Sequence, residues 1–445
     1  MIRRSAPHGF TALLALALVA GGAAACSGDS GGAEQDAKAP LQIWIRKPPG
    51  SNSEKTTKDL AAKFTAASGV PTQVTALFED FETKLQQAAA QKDLPDLVIN
   101  DTAQLGSLVK QGLVREVDQA GLAGSADLNP VAWEAAKGAN GKFYAAPFSV
   151  QSFALFIRKD WREKVGAKTP ASWAELNDLA KKFTTGDPDG NGKADTFGWV
   201  IPASTKRGYT SWYATSFLWS AGGDFLTGTP GKFTPAVNTP QSAEAVNYIK
   251  GQFCTDKTVV PGAITMETVQ AHQAFETGKG GIYFTGPYNM ARFDKNLGKD
   301  KFEIVALPAG PGGKASSLAE GENVYLMAGS ANEDGQKKFA EFAVSNEGQT
   351  IGMAGDTDGT IVRLPVNTKI QLDSVRKDTR WQVFETVFKS AGRFTPAVPD
   401  WTPFRQTSAD TFNTIFADCS TDTQAALDKL AQTFTDELTK QEVKG

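Results

Sequence analysis

The stretch that decides the fold is LQIWIRKPPGSNSEKTTKDLAAKFTAASGVPTQVTALFEDFETKLQQAAAQKDLPDLVIND, residues 41–101. Short apolar runs at 41–45, 74–78 and 97–100 predict buried strands, because turn-forming or charged residues bound each of them. Residues 53–67 and 81–91 between these runs carry apolar side chains at helical spacing. Alternation of strand and helix predicts an α/β fold with a parallel, doubly wound sheet.

The carboxyl ends of such strands predict where a ligand binds, because open α/β sheets hold their ligands beyond those ends. The candidates at these positions are Trp44, Arg46, Glu79, Asp80, Asn100 and Asp101. Carboxylates are strong acceptors for ligand hydroxyl groups. The alternatives are that Trp44 belongs to the core and that the polar side chains are solvated loop residues.

The N-terminus has the pattern of an export signal: a basic start, an apolar run at 10–20 and small residues before Cys26. The run is shorter than the roughly 20 residues of a membrane-spanning helix. A Ser-, Gly- and charge-rich tether follows Cys26. We expect residues 1–25 to be a signal peptide, Cys26 to carry a lipid anchor as in a lipobox, and residues 26–40 to include a flexible tether. A secreted protein without lipid is the alternative.

Composition sets broader limits on the chain of 445 residues. An apolar fraction of 41% and an aromatic fraction of 10% provide a sizeable core and predict two domains after the tether. The formal net charge of -3 disfavours nucleic acid as a partner. Cys254 and Cys419 remain once Cys26 is assigned to the anchor, and they could form a disulfide or stay as two buried thiols.

Six further segments, taken in order, resemble one protein family. They are LPDLVINDTAQLGSLVKQGLVREVD (94–118), GKFYAAPFSVQSFALFIRKDW (141–161), PASWAELNDLAKKF (170–183), GKGGIYFTGPYNM (278–290), ALPAGPGG (306–313) and GSANEDGQKKFAEFAVSNEGQ (329–349). Within the second segment we predict a pair of strands at 142–157. The set resembles the bacterial extracellular solute-binding proteins, which include maltose-binding protein and multiple-sugar-binding lipoproteins.

The resemblance implies a periplasmic-binding-protein-like fold of type II, with two discontinuous lobes joined by a hinge and a ligand in the cleft between them. By analogy, lobe I comprises 41–146 plus 323–365, and lobe II comprises 147–322 plus 366–445. It further implies a monomeric binding lipoprotein, not an enzyme. The protein would sit on the extracytoplasmic face of the cell membrane, held by its lipid anchor, and deliver a sugar or short oligosaccharide to the permease and ATPase of an ABC importer.

Sugar sites combine aromatic platforms with a few polar groups, so aromatic side chains are the remaining candidates. They are Trp212, Tyr213, Trp219, Tyr288 and Trp401, joined by the acidic Glu322. Tyr288 follows Gly-Pro where the family usually has Trp, and Trp401 resembles the family's stacking position in the second lobe. The alternative for the aromatic helix at 209–219 is that its side chains belong to the core.

The segment GDPDGNGKAD at 186–195 resembles a calcium loop. Its candidate ligands are Asp187, Asp189, Asn191, Lys193 and Asp195. The twelfth position should be a bidentate Glu, but it is Gly198 in this chain. A structural calcium ion and a simple Asx and Gly turn are therefore both open, and no other cofactor is expected.

Two other functions remain open. A secreted glycosidase would also place aromatics and paired carboxylates in a cleft, and a binding protein for a non-sugar solute would share the fold. Only His8 and His272 occur, and the chain has no H-E-x-x-H or G-x-S-x-G motif, which disfavours zinc or serine catalysis.

Overall fold

The computed structural model describes residues 39–229, 231–354 and 358–445. The predicted signal peptide, Cys26 and nearly all of the tether lie outside the described residues. The strands are β1 Leu41–Arg46, β2 Thr72–Leu77, β3 Leu97–Asp101, β4 Ala146–Gln151, β5 Ala154–Arg158, β6 Phe197–Val200, β7 Leu226–Thr229, β8 Lys232–Pro235, β9 Gly280–Thr285, β10 Phe302–Val305, β11 Ser317–Leu318, β12 Glu320–Leu326, β13 Leu364–Pro365 and β14 Gly392–Arg393.

The α-helices are α1 Asn52–Ser68, α2 Phe81–Gln91, α3 Leu105–Lys110, α4 Pro130–Glu134, α5 Lys159–Lys164, α6 Trp173–Thr185, α7 Tyr209–Ser220, α8 Pro240–Cys254, α9 Thr268–Glu276, α10 Met290–Asn296, α11 Glu333–Val344, α12 Asn346–Met353, α13 Leu372–Val375, α14 Trp381–Ala391, α15 Thr402–Ala417 and α16 Thr423–Lys440. Short 3₁₀ turns lie at Thr102–Gln104, Ser125–Asp127, Lys206–Gly208, Ala263–Thr265 and Pro287–Asn289. Within the described ranges, none of the helices has the length and apolar character of a membrane span.

The first strands and helices form as the sequence predicts, with bounds that differ by a few residues. The Ser51 hydroxyl caps α1 by accepting a hydrogen bond from the backbone N–H of Glu54. Gly69 ends α1 with a left-handed φ of 74°, a conformation that glycine adopts without steric cost. β1 then pairs in parallel with both β2 and β3.

Two sheets organise the described part of the chain. The large sheet has the strand order β13-β4-β12-β3-β1-β2, and the small sheet has the order β10-β5-β9-β6. β12 runs antiparallel to β3 and β4, so the large sheet is mixed and not parallel throughout.

The predicted pair of strands at 142–157 is wrong in one respect. Both strands form, but β4 joins the large sheet and β5 joins the small sheet. Every residue of both strands is buried, so their apolar pattern could not show that they belong to different sheets. The chain passes from one sheet to the other at Ser152 and Phe153.

The sheets are the centres of the two lobes of the fold, which we call the large-sheet lobe and the small-sheet lobe. β4 and β12 extend past the lobe bounds at 146 and 323 that the family resemblance implies, and those bounds stay a prediction. In the small-sheet lobe, Cys254 at the end of α8 and Cys419 just after α15 form a disulfide, with Cα atoms 5.6 Å apart.

Candidate functional site

A cavity of about 440 Å³ lies between elements of the two sheets. Arg46, Lys47 and Asp101 reach it from the carboxyl ends of β1 and β3, which is where the sheet topology places a ligand. The opposite wall comes from the turn after β9 and from α10. The cavity volume falls within the range of roughly 300–1,000 Å³ that is typical of small-molecule sites.

Two aromatic rings expose their surface in this cavity. Phe78 follows β2 and Tyr288 follows β9, and each ring-bearing residue is 37% exposed, whereas most large apolar side chains of the described chain are buried. The guanidinium carbon of Arg46 lies 5.1 Å from the centre of the Phe78 ring. The large-sheet lobe and the small-sheet lobe therefore each contribute an aromatic platform.

The sequence Gly286-Pro287-Tyr288 positions the second platform. A Cβ atom at Gly286 would overlap the Tyr288 ring, so glycine is required for the ring to lie in this place. The Thr285 hydroxyl lies 3.2 Å from the Tyr288 hydroxyl oxygen, to which it donates. Burial raises the pKa of Tyr288, so the phenol stays protonated. The Arg363 guanidinium faces the ring at 5.7 Å.

A buried group of charges forms the floor of the cavity. The Lys47 ammonium donates to Glu322 Oε1, and Arg363 Nη1 lies 3.3 Å from the same oxygen. Burial lowers the pKa of Lys47, and the neighbouring Glu322 carboxylate opposes that effect. Glu322 Oε2 is buried without a hydrogen-bond partner among the described residues. One carboxylate oxygen thus serves two cations, and the other is enclosed by the protein.

A second chain of charges links the two lobes at the rim. Arg46 Nη1 lies 3.2 Å from Asp101 Oδ2, and Arg46 Nε lies 3.5 Å from Glu82 at the start of α2. Arg207, from the small-sheet lobe, makes a two-pronged contact with Glu82 at 3.2 Å for each nitrogen. Arg207 is held at a left-handed φ of 54°, which is uncommon for a residue other than glycine. Burial acts against ionisation of Asp101, but Arg46 and the other nearby cations hold its pKa below the ordinary value.

A smaller space of about 20 Å³ lies beside Trp212, Glu320, Trp401 and Arg405. Trp212 is half-buried and meets Phe153 edge to face at 4.8 Å. Burial raises the pKa of Glu320 and lowers that of Arg405. Trp401 is 8% exposed and stacks on Phe404, so its ring belongs mostly to the core. Trp212 and Trp401 therefore share this smaller space and do not line the 440 Å³ cavity.

The other predicted residues divide clearly by position. Arg46, Asp101, Tyr288 and Glu322 line the 440 Å³ cavity. The remaining candidates do not line it. Trp44, Tyr213 and Trp219 pack in or against the core, and Glu79 and Asp80 are exposed after β2. Asn100 is buried, and its side-chain oxygen accepts a hydrogen bond from the Asp101 N–H.

The position of Tyr213 and Trp219 corrects the prediction that α7 presents an aromatic face to the cleft. Tyr213 is 1% exposed and stacks on Phe217, and the Trp219 indole donates to Asp224 at 2.9 Å. All but two residues of α7 are buried, because the helix is enclosed on every side. Helical periodicity cannot separate such a core helix from one that lines a cleft.

Several cavity residues were not predicted from the sequence. Lys47 and Phe78 directly adjoin strand ends, so the same topological rule could have included them. Glu82 lies within the first turn of α2, and no sequence pattern indicated that it would contact the cavity residues. Arg207 and Arg363 are brought to the cleft only by the packing of distant segments.

The loop at 186–195 satisfies its own polar groups. Asp187 Oδ1 accepts from the N–H groups of Gly190 and Asn191, and the Asn191 amide donates to Asp189 and Asp195. The Lys193 N–H donates to the Asn191 side-chain oxygen at 2.8 Å. Over the described ranges, no group of three His, Cys, Asp or Glu side chains is placed to share a metal ion. These bonds describe an Asx and Gly turn, and calcium binding stays a prediction.

Comparison with known proteins agrees with this architecture. The family model of the bacterial extracellular solute-binding protein matches residues 59–382. A polygalacturonan/rhamnogalacturonan-binding protein of Bacillus subtilis is 28% identical over 337 residues, covering 69% of this chain and 64% of the relative. A maltooligosaccharide ABC transporter solute-binding lipoprotein of Streptococcus pneumoniae is 24% identical over 267 residues, covering 58% of each chain. The chain thus spans less than two thirds of the length of the curated relatives it matches.

A solved structure shares the fold. The GacH receptor of Streptomyces glaucescens, determined unliganded and with acarbose, superposes with a TM-score of 0.76 at 20% identity, covering 90% of this chain and 98% of that chain. At this identity the likeness concerns the fold alone, which is the two-lobed arrangement described above. The family match extends across both sheets, from α1 into α14. The chain therefore belongs to the bacterial extracellular solute-binding protein family.

Proposed function

We propose that this protein is the substrate-binding component of an ABC importer and captures a sugar or short oligosaccharide in the cleft between its lobes. The observation that carries the proposal is the exposure of two aromatic rings, Phe78 and Tyr288, at the cavity from opposite lobes. Sugar rings have apolar C–H faces that pack on aromatic rings. Two such platforms around one space suit a saccharide better than a small ion.

The polar residues of the cavity complement those platforms. Glu322 and Asp101 offer carboxylate oxygens, and Arg46 and Arg363 offer N–H donors. Hydroxyl groups both donate and accept, so a saccharide can satisfy both kinds of group. Charge-assisted hydrogen bonds of this kind are roughly twice as strong as neutral ones.

The named relatives support the importer role. One is named as a maltooligosaccharide ABC transporter solute-binding lipoprotein. By analogy, we propose a monomer anchored through lipid on Cys26 at the extracytoplasmic face of the cell membrane, which delivers its ligand to a permease with an ATPase. We further propose that it has no catalytic activity, since the matching family and the named relatives are binding proteins. A non-sugar solute and a glycosidase are the alternatives.

The test is a thermal-shift screen of the chain from residue 41 against mono- and oligosaccharides, followed by calorimetric titration of each sugar that raises the melting temperature. Binding without hydrolysis products supports the proposal. A response only to other solutes, or the formation of shorter sugars, would overturn it in favour of one alternative.

Variants connect binding to the cavity. Phe78→Ala and Tyr288→Ala should each raise Kd on the order of tenfold, because each removes a platform that packs on the ligand. Val131→Ala is a matched control, since Val131 is also exposed, at 44%, but does not line this cavity. Equal affinity of all three variants and the unmodified protein would show that the sugar binds elsewhere.

A further inference from the structure

Two cations share one carboxylate on the inner wall of the cavity. Glu322 Oε1 accepts from the Lys47 ammonium, and Arg363 Nη1 lies 3.3 Å from the same oxygen. Neither cation has another acid within ion-pair distance among the described residues. The Glu322 carboxylate supplies one negative charge, so this group keeps one positive charge without compensation. A cation that is largely buried without a counter-charge is costly, and an anionic ligand group can supply that charge.

The adjoining charges do not offset this excess. Arg46 contacts Asp101 and Glu82, and Arg207 contacts Glu82, so two cations meet two acids. Burial acts against ionisation of Asp101, yet all four cations act on it together and hold its pKa below the ordinary value. The inner wall and the adjoining rim therefore hold four cations and three acids.

Arg405 adds to the positive charge near Asp101. Its guanidinium makes neither a hydrogen bond nor an ion pair within the described part of the chain. Burial lowers the pKa of Arg405, and the nearby carboxylates of Glu320 and Asp101 oppose that effect. Burial also raises the pKa of Glu320, which disfavours the negative charge that Arg405 would need. The excess of positive charge therefore persists when this pair is included.

The opposite wall of the cavity is balanced. There Arg292, Lys299 and the adjoining Arg380 are paired with three acids, namely Glu276, Asp294 and Asp378. Asp358 is exposed at the rim, where its carboxylate accepts from the Asn52 amide. Solvent screens a charge at such a position, so Asp358 does not compensate the inner wall.

Arg363 has a nitrogen that a ligand can reach. Its Nη2 makes no hydrogen bond within the described ranges and, unlike the enclosed Nε, keeps accessible surface. The guanidinium carbon lies 5.7 Å from the centre of the Tyr288 ring, which is one of the two exposed platforms. A sugar in contact with Tyr288 therefore has its ring substituents beside Arg363. Guanidinium groups bind carboxylates through strong, directional hydrogen bonds.

We propose that the ligand is an acidic saccharide of the uronic acid type, and that its carboxylate binds Arg363 while its ring contacts Tyr288. The excess of one positive charge matches a carboxylate, whereas a phosphate monoester carries close to two negative charges at neutral pH. This inference rests on the proposed function and specifies the substrate class of the same site. It makes Arg363 the residue that determines specificity for charge.

The test compares matched forms of one sugar by calorimetric titration of the chain from residue 41. The forms are a di- or trisaccharide ending in galacturonate or glucuronate, its methyl ester, and its neutral parent with a primary alcohol in place of the carboxylate. The uronate should bind at least about tenfold tighter than the two neutral forms, which corresponds to the gain of one charge-assisted hydrogen bond. Equal or tighter binding of a neutral form overturns this inference but leaves the importer proposal intact. Tighter binding of the matching 6-phosphate overturns the assignment of a carboxylate. Failure of every sugar to bind overturns both the inference and the importer proposal.

Two variants assign the preference to Arg363. Arg363→Gln removes the excess charge but leaves Glu322 paired with Lys47, so the preference for the uronate over its methyl ester should shrink by about tenfold. Lys299→Gln is the control, because it removes the same charge from the opposite wall of the cavity, where the Lys299 side chain is 64% exposed. The preference should persist in this control. An equal loss in both variants would overturn the role of Arg363, since overall charge would then set the preference. If Arg363→Gln does not fold, the uronate and its ester on the unmodified protein still decide the inference.

Discussion

Changing both Cys254 and Cys419 to Ser should lower the free energy of unfolding by between about 2 and 5 kcal/mol. The disulfide closes a loop of 165 residues, and the chain-entropy relation gives about 5 kcal/mol for a loop of that length at 25 °C. The local cost of the substitution is small, since Cys419 is exposed and Cys254 is half-buried. The loss therefore measures the cross-link.

The assay is urea unfolding followed by tryptophan fluorescence, with the oxidised protein, the reduced protein and the double variant in parallel. The reduced protein and the variant should agree within the error of extrapolation. Sugar affinity should not change, because the cross-link joins α8 to the segment after α15 away from the cavity lining. A stability loss below about 1 kcal/mol would refute the reasoning, since it would mean that the unfolded chain gains almost no freedom when the link is removed.

Three other predictions concern charge. The first is a double-mutant cycle of Arg207→Gln and Glu82→Gln, in which the coupling free energy in sugar binding should be about 0.5–1 kcal/mol. The value is modest because both side chains are about a third exposed to solvent. Zero coupling would contradict a role of this pair in lobe closure. Burial lowers the pKa of His272 to about 3, so acidification below about pH 6.5 favours proton binding by the unfolded chain. The unfolding free energy should then fall by up to about 1.4 kcal/mol per pH unit, and His272→Gln should remove that part of the slope in urea titrations. If the loop at 186–195 binds calcium, the ion should raise the melting temperature of the unmodified protein but not that of the Asp187→Asn variant. An equal rise in melting temperature for both proteins would exclude this loop as the calcium site.

The first part of the fold was predictable because its signals are local. The apolar runs at β1 and β3 and the cap at Ser51 depend on residues close in sequence. The assignment of β4 and β5 to different sheets was not predictable. Every residue of both strands is buried, and two residues separate them, so nothing local distinguishes a hairpin from a crossing between sheets.

The candidate site follows the same division. Arg46 and Asp101 were predictable, since a parallel strand brings its carboxyl end to the ligand edge of the sheet. The sequence could not show whether Tyr213 and Trp219 lie in the core or line the cleft, because the burial of α7 on all sides depends on neighbours far away in sequence.

The sequence by itself determined the α/β alternation, the family and the strand ends at which a ligand would bind, because these depend on short-range pattern and on the order of segments. Only the tertiary structure decided which charges meet. Lys47, Glu322 and Arg363 come from three separate regions and converge on one carboxylate. Burial at that point makes the pairing of these charges necessary, and burial is a property of the packed chain and not of any one segment.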